Sequence, residues 1–239
     1  MDKPYVVIHT HTSIDGNLDI MDLPEFREAS RQYQELSLDP EKQRLGIQGY
    51  LNGKTSTEDN ITHYRKPELD ENAAAVPGGD YVAVADAPMY YLSIDARGEL
   101  AFEENTFGYG GIPSHFVEVL TEQASNAYKD FLRRKKISYI LAGRDEIDYA
   151  VMLDKFYNLF GIRRMMVGGG GTINWSFVQN GLVDEVSVIL APIANGDPEG
   201  HRFFVAKEPY TRIKETAFKL ESVEELEHGT LWIRYSVSR

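Results

Sequence analysis

No cysteine occurs in the 239 residues of this chain. Disulfides, thiol nucleophiles and thiolate metal sites are therefore excluded. No apolar run approaches the ~18 residues that cross a bilayer as a helix. Basic residues are scarce beside acidic ones, 25 Lys and Arg against 37 Asp and Glu, for a formal net charge of -12. Such a balance opposes wrapping around nucleic acid or lying on an anionic membrane. No leader pattern stands at Met1-Asp2-Lys3-Pro4, which runs straight into a strand-like segment, so the expected location is cytoplasmic. No internal repeat and no interdomain linker interrupts the chain, and the expectation is one domain over residues 1–239.

What is present is a four-glycine cluster, Gly168 to Gly171, set between the apolar Met165-Met166-Val167 and a helix start near Thr172-Ile173-Asn174. A strand, a turn free of side chains and a helix start form a backbone surface that approaches a pyrophosphate closely. The cluster is not a P-loop, because no Gly-Lys-Ser/Thr follows, and it is not a G-x-G-x-x-G fingerprint. An anionic cofactor needs local cations in so acidic a chain, and the candidates are Lys54, Arg97, Arg144, Arg163 and Arg164.

Periodicity reads as an α/β chain. Strands are expected over 4–10, 50–52, 90–95, 116–120, 139–142, 165–167 and 185–191. Helices are expected over 24–36 and 39–49, with Pro24 and Pro40 in their first turns, then over 126–135, 147–160 and 173–180. A further helix start lies at 53–58. Two late β segments, 211–223 and 230–237, suggest an antiparallel pair beside a mostly parallel central sheet flanked by helices. The polar segments 60–80 and 195–210 read as functional lids or surface decoration. The aromatic residues Trp175, Phe177, Tyr149, Phe156, Tyr157 and Phe160 have helical spacing and read as packing.

Three elements carry a resemblance. They are Thr12-Ser13-Ile14-Asp15-Gly16, then Asp95-Ala96-Arg97-Gly98, and then Gly168 to Thr172 with Gly181-Leu182-Val183-Asp184-Glu185 and Ala191-Pro192. In order and spacing the chain resembles the reductase domain of the bifunctional riboflavin-biosynthesis deaminase-reductases and their stand-alone relatives, most specifically over 137–192. A deaminase site of the H-x-E with P-C-x-x-C type cannot be built without cysteine. The resemblance implies a dihydrofolate-reductase-like fold. It also implies NADPH-dependent hydride transfer to the ribose C1′ of a 5-amino-6-(ribosylamino)pyrimidine 5′-phosphate, with no metal. A homodimer through a β edge is implied as well. The cofactor supplies the chemistry, while the protein orients the reacting carbon and excludes water. Another reductase of the same fold acting on a pterin or other small carbonyl or imine stays open, as does a non-catalytic nucleotide-binding protein.

The resemblance also distributes roles. Gly169, Gly170, Gly171, Thr172, Ile173 and Asn174 would cradle the cofactor pyrophosphate. Gly53, Lys54 and Ser56 resemble a second phosphate-binding helix start in which Arg is commoner than Lys; the change keeps the charge and loses the bidentate fork. Asp95 and Arg97 fall near the adenosine half, with Arg97 facing the 2′-phosphate. Ala142 and Gly143 end a strand at the carboxyl edge of the sheet, where such folds bind ligands, and Arg144 beside them is the second candidate for the 2′-phosphate. Ser13 and Asp15 would contact the substrate, and Asp15 would relay a proton; the alternative is a plain Asp-Gly turn. Glu58 would face the same cleft or complement a helix dipole. His9 and His11 point to one face of the first strand, either at the substrate cleft or as structural histidines.

Overall fold

The computed structural model describes residues 2–18, 20–109 and 112–237, and Met1 of the expected leaderless start lies outside them. The chain divides into two compact units. Unit 1 comprises 1–4 and 48–165, and unit 2 comprises 5–47 and 166–239.

Unit 1 holds strands β2 (Gly49–Gly53), β3 (Met89–Ile94), β4 (Thr106–Tyr109), β5 (Ile112–Leu120) and β6 (Ser138–Leu141). β2, β3, β5 and β6 run parallel in that order, with Leu51 opposite Leu92, Leu92 opposite Val117 and Val119 opposite Ile140. Leu51, Leu92 and Val117 are fully buried, as expected of parallel strands covered on both faces. β4 adds an antiparallel pairing to β5 that the sequence reading lacks, since Thr106-Phe107-Gly108-Tyr109 is too short a run to signal a strand. Helices α2 (Lys54–Thr57), α3 (Asn126–Arg134) and α4 (Tyr149–Leu159) follow β2, β5 and β6, and α2 continues into a π-helical turn over Glu58–Thr62. The Ser125 hydroxyl caps α3 by accepting from Tyr128 N, and Asp148 caps α4 by accepting from Ala150 N and Val151 N.

Unit 2 holds β1 (Tyr5–Thr12), β8 (Glu185–Leu190), β9 (Phe218–Glu225) and β10 (Leu231–Val237), with helices α1 (Pro24–Leu38) and α5 (Gly171–Gln179). β1 is parallel to β8, β10 is antiparallel to β8, and β9 is antiparallel to β10. The division between the units falls inside β7 (Arg164–Val167).

Two expectations are corrected. Where a helix over 39–49 is expected, residues 40–42 form a turn, 43–48 are irregular chain and Gly49 opens β2. The Asp39 carboxylate accepts from Glu41 N and Lys42 N, which opens a helix-like turn at Pro40. The chain then leaves helical geometry at Gly46, with φ of 63°, and buries Leu45 and Ile47. The strand expected from 211 begins at Phe218. The main chain of Arg212 instead bonds α5 side chains, accepting from Trp175 Nε1 and donating to Gln179 Oε1.

Candidate functional site

The predicted site residues divide between the units, so each unit presents its own portion. In unit 2, β1 ends at Thr12 and the chain turns through Ser13 to Asn17. Ser13 Oγ donates to Asp15 Oδ1 and accepts from Asn17 N at 2.8 Å. Asp15 Oδ2 accepts the N–H groups of Gly196 at 2.7 Å and Asn195 at 3.1 Å. The Ser13 hydroxyl, followed by the Gly196 N–H, holds the Asp15 carboxyl below the usual carboxylate range. Asp15 is half-exposed, so it is an oriented anion within reach of a ligand.

Segment 195–205 ties this turn to the glycine cluster. The Arg202 guanidinium donates to the Asp15 carbonyl, and Asn17 Nδ2 donates to Asn195 Oδ1 at 3.0 Å. Further along, Val205 N donates to Gly171 O at 3.1 Å and Asn174 Nδ2 to Phe203 O at 3.0 Å. A Cβ on Gly171 would meet Arg202 O at 2.3 Å, so the bare backbone at 171 admits this strap. Gly170 is different: it has φ of 36°, and a Cβ there meets nothing within 4 Å. The first N–H groups of α5 lack intrahelical acceptors, and no side chain caps them. An open main-chain turn before an uncapped helix start fits a pyrophosphate.

His9 and His11 do share one face, as expected, and both rings contact Tyr33. His9 is 1% exposed and stacked on Tyr33. Its tautomer follows from its partners. Trp232 Nε1 donates to Ser187 Oγ, whose own proton then goes to His9 Nδ1, and His9 Nε2 donates to the Tyr33 carbonyl. Burial lowers His9 to about 4, and burial likewise lowers His11 to about 4. His9 is thus a neutral core residue with both nitrogens engaged. Glu28, Glu227 and His228 bring ligand-type atoms within 4.8 Å of one another, but Arg31 already bonds both carboxylates.

In unit 1, Gly53 precedes α2, with open space where a Cβ would stand. The Lys54 ammonium bonds Glu99 and lies 3.7 Å from Glu58. A phosphate at Lys54 would therefore displace Glu99. Ser56 is half-buried, and its carbonyl accepts from Asn60 Nδ2. Asp95 is 2% exposed; its Oδ2 accepts from Glu99 N and Leu100 N, closing the turn that displays Arg97 to solvent. Beside Asp95 lies Glu118, fully buried, which the sequence reading passed over. Burial pushes the Glu118 carboxyl well above the usual carboxylate range, and Asp95 adds to the shift. A lone carboxylate in the apolar run Phe116-Val117-Glu118-Val119-Leu120 was the available signal. Ala142 is buried at the end of β6, and a Cβ on Gly143 would meet Glu146 O at 2.0 Å. Arg144 is exposed, 3.8 Å from Asp145. Arg163 stacks on Tyr157 at 3.7 Å and takes no part in either portion.

Known proteins provide the frame for these two portions. The family model described as RibD C-terminal domain matches residues 111–232. A 2,5-diamino-6-ribosylamino-4(3H)-pyrimidinone 5′-phosphate reductase of Aquifex aeolicus is 27% identical over 203 residues, 82% of this chain and 80% of that protein. A protein of the same name from Methanothermobacter thermautotrophicus is 40% identical over 63 residues, 26% of this chain and 29% of the relative. Among solved structures, Acinetobacter baumannii RibD has a TM-score of 0.62 at 16% identity, covering 99% of this chain and 58% of that one. A pyrimidine reductase-like protein of Corynebacterium diphtheriae has a TM-score of 0.61 at 14% identity, covering 99% and 92%. The expected α/β fold of dihydrofolate-reductase type is the fold these structures share with the chain.

Proposed function

This chain belongs to the RibD C-terminal domain family, and from that premise we propose that it is an NADPH-dependent reductase of a ribosylaminopyrimidine 5′-phosphate in riboflavin biosynthesis. The 203-residue match to the Aquifex aeolicus reductase carries the reading, because it extends over four-fifths of both chains. The diamino pyrimidinone in that relative's name is the substrate we assign.

The reaction balances simply. The ribosylamine opens to an imine at C1′, and addition of a hydride and a proton would convert it to the ribitylamine, with the oxidised nicotinamide nucleotide as co-product. When bound, the nicotinamide supplies the hydride. In unit 2, the main chain at Gly169, Gly170 and Thr172 with Ile173 would hold the pyrophosphate, and Asn174 anchors the strap at Phe203. Asp15, fixed by Ser13 and the Gly196 N–H, would bind the sugar or pyrimidine and relay the proton. In unit 1, Lys54 and Arg97 would take phosphate oxygens, with Gly53 leaving room at the helix start. We read the two units as one reductase domain. Positioning of this kind supplies roughly 7–11 kcal/mol of barrier lowering without a dedicated catalytic base. The same proposal includes a cytoplasmic location and a homodimer. The edge strand β9, where Leu220 and Val223 are each 53% exposed, offers a surface for pairing.

The test is direct. Purified protein is mixed with NADPH and the diamino or deaminated ribosylaminopyrimidine phosphate, and nicotinamide absorbance is followed. Loss of absorbance that requires the sugar phosphate supports the reading. NADPH binding without turnover on either pyrimidine replaces it with a non-catalytic nucleotide binder.

A further inference from the structure

We propose that Glu118 carries a proton and donates it to Asp95, so that the two carboxyl groups form a buried acid pair that positions the Asp95–Leu100 turn beside Lys54. The two side chains sit at neighbouring places on one sheet face. Glu118 of β5 is in register with Ser93 of β3, and Asp95 lies two residues beyond Ser93. Asp95 and Glu118 are 2% and 0% exposed and converge on Leu100: Asp95 Oδ2 accepts its N–H, and Tyr128 Oη links its carbonyl to Glu118, so the two carboxyl groups are buried neighbours.

Two ionised carboxylates only accept, so buried neighbours of this kind bond each other only with one proton between them. Asp95 Oδ2 already accepts two main-chain N–H groups, from Glu99 and Leu100, so it stands in the pair as the acceptor. The proton therefore belongs to Glu118. Among the described residues, no neighbour offers a substitute. Tyr128 Oη of α3 lies 2.8 Å from both Glu118 oxygens and 2.9 Å from the Leu100 carbonyl, yet it has one proton for all three acceptors. Lys54 of α2 is bonded to Glu99, with Glu58 nearby, and Arg97 is exposed on the turn itself. A charged Glu118 would thus be a buried anion beside a second carboxylate, with no cation bonded to it, a costly state.

Glu118 is accordingly a positioning residue. It holds Asp95, Asp95 holds Glu99 N and Leu100 N, and Glu99 in turn bonds Lys54. What this turn does for a nucleotide rests on the reading of Lys54 and Arg97 given above; the proton does not.

Infrared spectra of the full chain at neutral pH, with and without Glu118→Gln, decide the proton. A protonated-carboxyl C=O band in the wild type that vanishes in Glu118→Gln is the expected result. Its absence from the wild type overturns the acid pair. NADPH titrations supply the second readout. Glu118→Gln, whose amide still donates to Asp95, retains affinity within about twofold, whereas Glu118→Leu weakens binding about tenfold, the size of one lost hydrogen bond to a charged group. Equal losses in both variants would show that charge, not donation, matters at position 118, and would also overturn the proposal. If Glu118→Leu does not fold, the band and Glu118→Gln still decide. A wild type that binds no NADPH counts against the nucleotide reading alone, and the infrared band then settles the acid pair by itself.

Discussion

Asp15 in unit 2 and Asp95 in unit 1 each follow a strand, each stand before a glycine of positive φ, and each accept two main-chain N–H groups. Gly16 has φ of 82° and Gly98 φ of 78°. The donors to Asp95 are Glu99 and Leu100, within its own turn. The donors to Asp15 are Asn195 and Gly196, about 180 residues along the chain. Asp95 is 2% exposed against Glu118, while Asp15 remains half-exposed. One hydrogen-bonding device thus serves two ends. Where it closes on itself and is buried, it builds a turn; where distant chain closes it and solvent reaches it, it fixes the orientation of a carboxylate at the surface.

Substitution should separate the two. Asp95→Leu strands the Glu99 and Leu100 N–H groups and deprives Glu118 of its acceptor; the expected cost is about 3 kcal/mol or more, read from urea unfolding. Asp15→Asn keeps the shape and most of the hydrogen bonds, so its stability cost should stay under about 1 kcal/mol. Its effect belongs to turnover: kcat/KM should fall about 100-fold if Asp15 relays the proton. A variant pair that behaved the other way round, with Asp15→Asn unfolding the chain and Asp95→Leu merely slowing it, would break the comparison.

A smaller effect sharpens the unit 1 side. The turn that Asp95 closes displays Arg97, and only NADPH carries a 2′-phosphate for it to meet. Arg97→Ala should weaken NADPH about tenfold and leave NADH unchanged. Equal losses for both nucleotides in a binding titration would remove Arg97 from the 2′-phosphate and return that role to Arg144.

Much of this was legible in the sequence because local chemistry dictated it. Pro24 starts α1, Gly53 precedes α2, and the apolar runs at β1, β3 and β8 became buried strands. Asp-Gly at 15–16 and Asp-x-x-Gly at 95–98 both became turns. Illegible features depend on distant partners. Pro40 looks like a helix start, but Asp39 satisfies only one turn before Gly46 departs. Gly171 looks like phosphate backbone, yet it is Arg202 O that forbids a side chain there. His9 looks like a cleft ligand until Ser187, Trp232 and the Tyr33 carbonyl take up its hydrogen bonds. Segment 195–210 could not be told from decoration, since the contacts of its first half are with Asp15 and Gly171, far away in sequence.

The same contrast between units extends to pH, where buried groups of opposite kind should give opposite slopes. His9 in unit 2 protonates at about 4 when folded and at 6.5 otherwise, because burial penalises its cation. The unfolded chain therefore takes up a proton first, so the stability owed to neutral His9 is full above 6.5 and is lost as pH falls from 6.5 to about 4. Glu118 in unit 1 runs the other way: its folded value lies well above 4.5, so its contribution is full below 4.5 and declines as pH rises. Both tryptophans, Trp175 and Trp232, lie in unit 2, so their fluorescence reports that unit. Over the first pH unit below 6.5, withholding one proton from His9 costs about 1 kcal/mol, and His11 adds a share of the same sign. His9→Gln should lower overall stability yet flatten that acid slope by about 1 kcal/mol in tryptophan-monitored unfolding. If the slope is unchanged in His9→Gln, His9 takes up its proton as readily folded as unfolded, and its place as a neutral core residue is wrong.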